Sequence, residues 1–127
     1  MKYEVEIPVP PSTNHLYASQ AKRRIKTRPY KSWLKEATWV LKAALPVLEP
    51  PIKLGITIYG GKGFSIRSDI SNRMKAPEDA LVKSGRLEDD TVQFVHECRQ
   101  RYFVPQGTDD VARCVLTIVD QREEDAD

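Results

Sequence analysis

The chain has 127 residues, 20 Lys and Arg against 18 Asp and Glu, a formal charge of +2, and 40% apolar residues. That length suits one domain with an ordinary core and excludes two, and no apolar run approaches the roughly 18 residues of a membrane-spanning helix. Two cysteines are too few for a disulfide framework, which points to a reducing, cytoplasmic setting.

The opening MKYEVEIPVPPS is acidic, Pro-rich and alternating, without the apolar h-region of a secretory signal. Tyr3, Val5, Ile7 and Val9 alternate with Lys2, Glu4 and Glu6, so a half-buried strand is predicted, stopped by Pro10 and Pro11. Ser12 to Pro29 is polar and basic without a clean period and reads as a long functional loop. From Tyr30 the apolar residues Trp33, Leu34, Ala37, Val40, Leu41, Ala44 and Leu45 fall at helical spacing, with Pro29 at the start and Pro46 at the stop. Core packing is the simplest role for Trp33.

Pro50-Pro51 opens a second strand with Ile52, Leu54, Ile56 and Ile58 on one face. Gly60-Gly61-Lys62-Gly63 follows as a basic loop without the spacing of a Walker phosphate loop. Arg67 to Asn72 leads into a second helix running to about Ser84, and Gly85 suits the position past its end. Pro77 falls inside it, so this helix is predicted to begin near Lys75 or to bend. After a charged turn at Arg86 to Asp90, Thr91 to Val104 reads as a strand with Val92, Phe94, His96, Cys98 and Tyr102 on one side. A turn with Gly107 and a strand from Ala112 to Val119 complete the pattern, with the last two strands predicted to form a hairpin that sets Cys98 opposite Cys114, both as buried thiols. The predicted order is β-α-β-α-β-β, an α+β fold with a small mixed sheet and two helices packed on one face. Residues 1–120 are the single domain and 121–127 a disordered acidic tail.

The weak net charge conceals an asymmetry. No Asp or Glu occurs from Ile7 to Lys35, a stretch holding Lys22, Arg23, Arg24, Lys26, Arg28, Lys31 and Lys35. In the tail, Arg122 stands against four carboxylates, a net −3 that leaves +5 for the body of a chain whose total is +2. A basic body suits a polyanion, because Lys and Arg on phosphates release condensed counterions; a solvated surface run is the bland alternative.

Carboxylates bracket the second helix. Asp69 precedes it, Glu78 and Asp79 lie on it, Glu88, Asp89 and Asp90 follow it, and Lys75 sits one to two turns after Asp69. Carboxylate oxygens suit Mg²⁺ and Mn²⁺, and a nearby lysine can stabilise a charged phosphate transition state. Acids beside a DNA-binding surface are electrostatically wrong unless a cation separates them from the phosphates. Taken singly, each residue has a structural explanation: Asp69 as a cap, Asp89-Asp90 as a turn, His96 as a satisfied strand residue. Histidines only at positions 15 and 96, and no CxxC, argue against a Ser-His-Asp or Cys-His centre and against zinc.

Pro10-Pro11-Ser12-Thr13-Asn14-His15-Leu16-Tyr17 resembles the PPSxNxxY opening of the RusA family of Holliday junction resolvases, and Asp69-Ile70-Ser71-Asn72-Arg73-Met74-Lys75 resembles its DxDNxxK motif. Asp79-Ala80-Leu81, Gly85 and Asp89-Asp90 continue the pattern at the family's spacing. The resemblance implies a small homodimeric, Mg²⁺-dependent endonuclease that nicks opposing strands of four-way junction DNA. It implies Asp69, Lys75 and Asp90 as catalytic residues, Asp69, Asp89 and Asp90 as metal ligands, and Mn²⁺ as a substitute ion. Asn14, Lys22, Arg23, Arg24, Lys26, Arg28, Lys31, Lys62 and Arg67 are the expected DNA contacts. The chain departs from the motif at Ser71, where the family has a second aspartate. Either fewer carboxylates suffice, or Glu78 or Asp79 compensates, or the protein is a weakly active or inactive junction binder. A helix of about ten residues rises ~15 Å, so Asp69 and Asp90 meet only if flanking loops fold back or a partner chain completes the site. A structural interaction module is the remaining alternative.

Overall fold

The computed structural model describes residues 1–11, 17–20, 23–26, 28–61, 70–89, 91, 93–104 and 111–121. In chain order the elements are β1 (Lys2–Ile7), β2 (Tyr17–Gln20), β3 (Arg23–Lys26), α1 (Arg28–Ala44), β4 (Ile52–Tyr59), α2 (Ile70–Lys83), β5 (Val95–Phe103) and β6 (Arg113–Val119). The fold is α+β, with the predicted order of elements and one addition. The basic stretch read as a loop contains a short antiparallel ribbon, β2 with β3, whose register pairs Tyr17 with Lys26 and Gln20 with Arg23. Four-residue strands of mixed polarity carry no usable alternation, which is why the sequence does not announce them.

The main sheet runs in the order β1-β6-β4-β5. β6 lies antiparallel to both β1 and β4, while β5 lies parallel to β4. This corrects the predicted hairpin: β5 and β6 are not neighbours, because β4 separates them. Parallel β4 and β5 need a long crossover, and α2 lies within it. Cys98 therefore pairs with Leu54 on one side of β4, while Cys114 pairs with Ile58 on the other and with Ile7 on β1. Both cysteines are free, and only Cys114 is buried. β5 also begins later than predicted, and its register shifts between the Ile52–Val95 and Lys53–Glu97 pairs. The extra residue, His96, changes which side chains share a face, so the alternation read from Val92 onward does not carry through the strand.

One face of the sheet is the core. Val5 and Ile7 of β1, Ile52, Leu54, Ile56 and Ile58 of β4, and Cys114, Leu116 and Ile118 of β6 are buried there. Tyr30, Trp33, Leu34, Ala37 and Leu41 of α1 and Ala76, Ala80 and Leu81 of α2 cover them. The other face stays open, with a stack of Tyr59 on Phe103 at 5.3 Å and the Arg113 guanidinium 5.5 Å from the Tyr59 ring centre. Pro77 lies inside α2, which is helical on both sides of it. The apolar ring is buried there, so packing offsets the lost backbone donor.

Three latches hold the layers in register. The Trp33 indole donates to the Pro8 carbonyl at 2.8 Å, tying α1 to the end of β1. The Arg86 guanidinium donates to the Lys42 carbonyl at 2.9 Å, satisfying an open carbonyl at the end of α1. Asp120, fully buried, accepts from the Glu49 amide at 3.0 Å and lies 3.7 Å from the Met1 ammonium. Removing that carboxylate takes the acceptor from the Glu49 amide and the counter-charge from the Met1 ammonium, which keeps its 3.3 Å hydrogen bond to the Asp120 main-chain carbonyl. Asp120→Ala should cost about 2 kcal/mol in urea unfolding, and Asp120→Asn, which keeps an acceptor, roughly half that. An unshifted urea midpoint for Asp120→Ala would contradict the latch.

Candidate active site

The helix α2 is the frame of the site. It packs against α1 on one side and contacts β5 on the other. Its first residue, Ile70, directly follows Asp69 in the chain. Its end is fixed by a compact turn in which Gly85 adopts φ +77°, a conformation costly for other residues. The Gly85 amide donates to Val82 at 3.0 Å, the usual closing bond of such a cap. The buried Ser84 hydroxyl donates to the Leu81 carbonyl at 2.7 Å and accepts from the Arg86 amide at 3.2 Å, standing where a direct amide–carbonyl bond would otherwise close the cap. Leu87 is buried and the Arg86 carbonyl accepts from the Leu48 amide at 2.7 Å, so the exit from α2 is anchored before it reaches half-buried Asp89.

Along α2, Lys75 and Asp79 are one turn apart. The exposed Lys75 Nζ lies 4.0 Å from Asp79 Oδ1. The other oxygen, Asp79 Oδ2, accepts a 2.9 Å hydrogen bond from the hydroxyl of Tyr30 on α1. Tyr30 is 0% exposed and stacked against Trp33, so its hydroxyl is a rigid donor. The carboxylate is thus oriented from the core and in turn faces the lysine. Glu78 points elsewhere: its Oε1 accepts from the Cys98 thiol at 3.2 Å. Cys98 is exposed as a residue, yet its thiol is partly desolvated beside Glu78; that desolvation first, then the Glu78 hydrogen bond and charge, push it up to about 12. Burial pushes Cys114 to about 12 as well, with Glu6 adding a smaller effect. Both groups remain protonated at neutral pH, the wrong state for a thiolate metal ligand. Among the described residues no three His, Cys, Asp or Glu side chains gather into a metal-binding group.

The basic segment divides between two joined elements. Arg23, Arg24 and Lys26 lie on β3, while Arg28 and Lys31 are exposed in the first turns of α1. The ribbon therefore leads into the helix that carries Tyr30.

The family model described as Endodeoxyribonuclease RusA matches residues 7–107. The chain belongs to the RusA family. No curated protein matches the chain. RusA proteins are DNA endonucleases that act on junctions and are generally dependent on a divalent metal, and the match spans the basic segment, α1, α2 and the acidic turn after it. Of the residues expected to serve catalysis or metal, Lys75 and Asp89 are described: Lys75 lies within α2 and Asp89 in the turn past its end. Asn14, Lys22, Lys62, Arg67, Asp69 and Asp90 lie outside the described residues. The donors that motif supplies are carboxylate oxygens, which fit a hard divalent ion such as Mg²⁺. Glu78 and Asp79 each accept a hydrogen bond on one carboxylate oxygen, from Cys98 and Tyr30 respectively. The sequence shows Tyr30 only as a core position, and Asp79 only as part of the family pattern and a candidate substitute for the carboxylate missing at Ser71. Their pairing spans 49 residues and has no local signature.

No helix among the described residues is long and apolar enough to cross a membrane.

Proposed function

We propose that this protein is a Mg²⁺-dependent endodeoxyribonuclease that resolves four-way junctions by paired nicks, as a homodimer in the cytoplasm, serving DNA recombination and repair. The observation that carries the proposal is the family match over residues 7–107, a span that contains Asp69, Lys75, Asp89 and Asp90. A divalent ion, Mg²⁺ or Mn²⁺, would be held by Asp69 and Asp90 with Asp89 beside them, and would supply Lewis acidity and a water of lowered pKa.

The chain's own groups do the rest. Asp69, Asp89 and Asp90 concentrate negative charge where the basic surface would otherwise attract phosphate alone. Lys75 places an ammonium against the charge that develops on the phosphoryl oxygens. Asp79, held by Tyr30, limits the positions that ammonium can take without occupying the site itself. Asn14, Lys22, Arg23, Arg24, Lys26, Arg28, Lys31, Lys62 and Arg67 grip the backbones of the junction arms. A two-fold dimer suits a substrate with approximate two-fold symmetry and two matched cuts. It also offers a way to complete each site, because α2 has 14 residues and an ideal helix of that length rises ~21 Å between Asp69 and the acidic turn.

The deciding experiment is nicking of a synthetic four-way junction with and without Mg²⁺, against a linear duplex of the same sequence. Metal-dependent nicks in opposing strands of the junction, and few in the duplex, are expected. Ser71 favours a second reading, a junction-binding protein with weakened catalysis, because serine supplies an oxygen but no charge. If metal charge is limiting, Ser71→Asp should raise the cutting rate severalfold at sub-saturating Mg²⁺. Equal or lower rates at every Mg²⁺ concentration would reject that explanation.

A further inference from the structure

The exposed side of α1 carries Lys35 and Lys42, which the proposed function leaves without a role, in line with Arg28 and Lys31, which it assigns to the DNA backbone. Arg28, Lys31, Lys35 and Lys42 recur at intervals of three, four and seven residues, which aligns them in one narrow stripe along a helix. All four are exposed. Trp39 stands beside the stripe and is 76% exposed, whereas the only other tryptophan, Trp33, is 6% exposed and hydrogen-bonded to Pro8. Among the described residues no large apolar side chain is more exposed than Trp39.

Lys31, Lys35 and Lys42 line a groove of 500 Å³ together with Thr38, Trp39 and Lys83 of α2. No acidic residue lines it, and among the described residues none of its four lysines has an ion-pair partner. The Thr38 hydroxyl on the same wall is buried without a hydrogen-bond partner. The groove is also aligned with the proposed active site. Lys75, Asp79 and Lys83 follow at i, i+4 and i+8 on one side of α2, so the groove's Lys83 is ~12 Å along the helix from Lys75.

We propose, building on the nuclease reading, that this groove is a second DNA contact that holds the sugar–phosphate backbone of a junction arm, with the Trp39 indole stacked on a base or sugar at the branch. Charge complementarity selects DNA over other occupants: four unneutralised ammonium groups around an acid-free groove repel a like surface and attract a polyanion. The exposed aromatic ring beside them offers a stacking platform of the kind that accepts unpaired bases.

The test is junction binding in EDTA, read by tryptophan emission and by titration across a salt series. DNA should change the emission of the wild-type protein, and Trp39→Phe, which leaves Trp33 as the reporter, should lose that response. Lys35→Glu/Lys42→Glu should weaken junction binding at least tenfold, and Lys35→Ala/Lys42→Ala should flatten the slope of log K against log salt by roughly two. Arg99→Glu/Arg101→Glu, the same charge change on the open sheet face, should stay within twofold. Circular dichroism checks that each variant is folded.

Wild-type junction binding with an unmoved Trp39 signal and unchanged affinity in both lysine variants would overturn the groove while leaving the nuclease reading intact. DNA binding through the groove without junction cutting by the wild type would do the reverse. Conversion of a dimer to a monomer by Trp39→Ala, seen by sedimentation, would assign the face to a second copy of the chain and overturn the proposal, as would failure of the wild type to bind DNA.

Discussion

Asp90→Asn should lower Mg²⁺-dependent junction cutting by roughly a thousandfold, the scale of losing a group that acts on charge in the transition state, while junction binding in EDTA changes little. The substitution is nearly isosteric and removes one negative charge. On the proposed reading that charge is needed to hold a divalent ion against a crowd of phosphates, so cutting falls and binding does not. With one repulsive carboxylate gone, metal-free binding could only tighten. A variant that cuts at the wild-type rate, or that loses cutting only because it no longer binds, would remove Asp90 from the chemistry. The same substitution at Asp69 should behave alike. Mixed dimers of Asp69→Asn and Asp90→Asn subunits then separate sites completed by the partner from sites completed within one chain. Recovery of one working site per mixed dimer supports the shared arrangement, and no recovery removes it.

Tyr30→Ala should cost about 4 kcal/mol of stability, because the ring is fully buried in the layer between α1, α2 and the sheet and its removal leaves a cavity among neighbours that cannot collapse. That loss is a large fraction of a typical domain's stability and should be plain in urea unfolding. Tyr30→Phe separates packing from positioning. It keeps the ring and its stack on Trp33, and removes only the hydroxyl that orients Asp79. Its cost should be about 1 kcal/mol, the value of one hydrogen bond. If Asp79 sets the position of Lys75, Tyr30→Phe should also lower kcat several-fold with KM nearly unchanged, and Asp79→Glu should restore less than wild-type activity. An unaltered kcat in Tyr30→Phe would confine Tyr30 to the core.

What the sequence made legible follows physical range. Alternation in β1 and β4 and the helical spacing of α1 are local signals, and the structure bears them out. Gly85 past the end of α2 is also local, since only a positive φ makes glycine the natural choice there. Strand partners are not local. The turn signal around Gly107 invited a β5–β6 hairpin, yet β4 is inserted between them, because the α2 crossover sets β5 parallel to β4. The bulge at His96 likewise depends on the neighbouring strand and not on the composition of β5. At the site, Lys75 was legible as part of a spaced motif. Asp79 was legible in the same pattern, but its hydrogen bond from Tyr30, on a different helix, was not. The basic segment was legible by charge, while its division into a ribbon and the first turns of α1 was not.

The central claim is that the carboxylates flanking α2 converge with Lys75 to trap a divalent ion within a cationic surface. Anomalous diffraction at the manganese edge, from crystals of the protein with junction DNA and Mn²⁺, tests it most directly. The account predicts a manganese peak within ligand distance of Asp69 and Asp90 oxygens, with the Lys75 ammonium near the same phosphate. Those oxygens scattered and no peak between them, in crystals that do contain bound DNA, would contradict it.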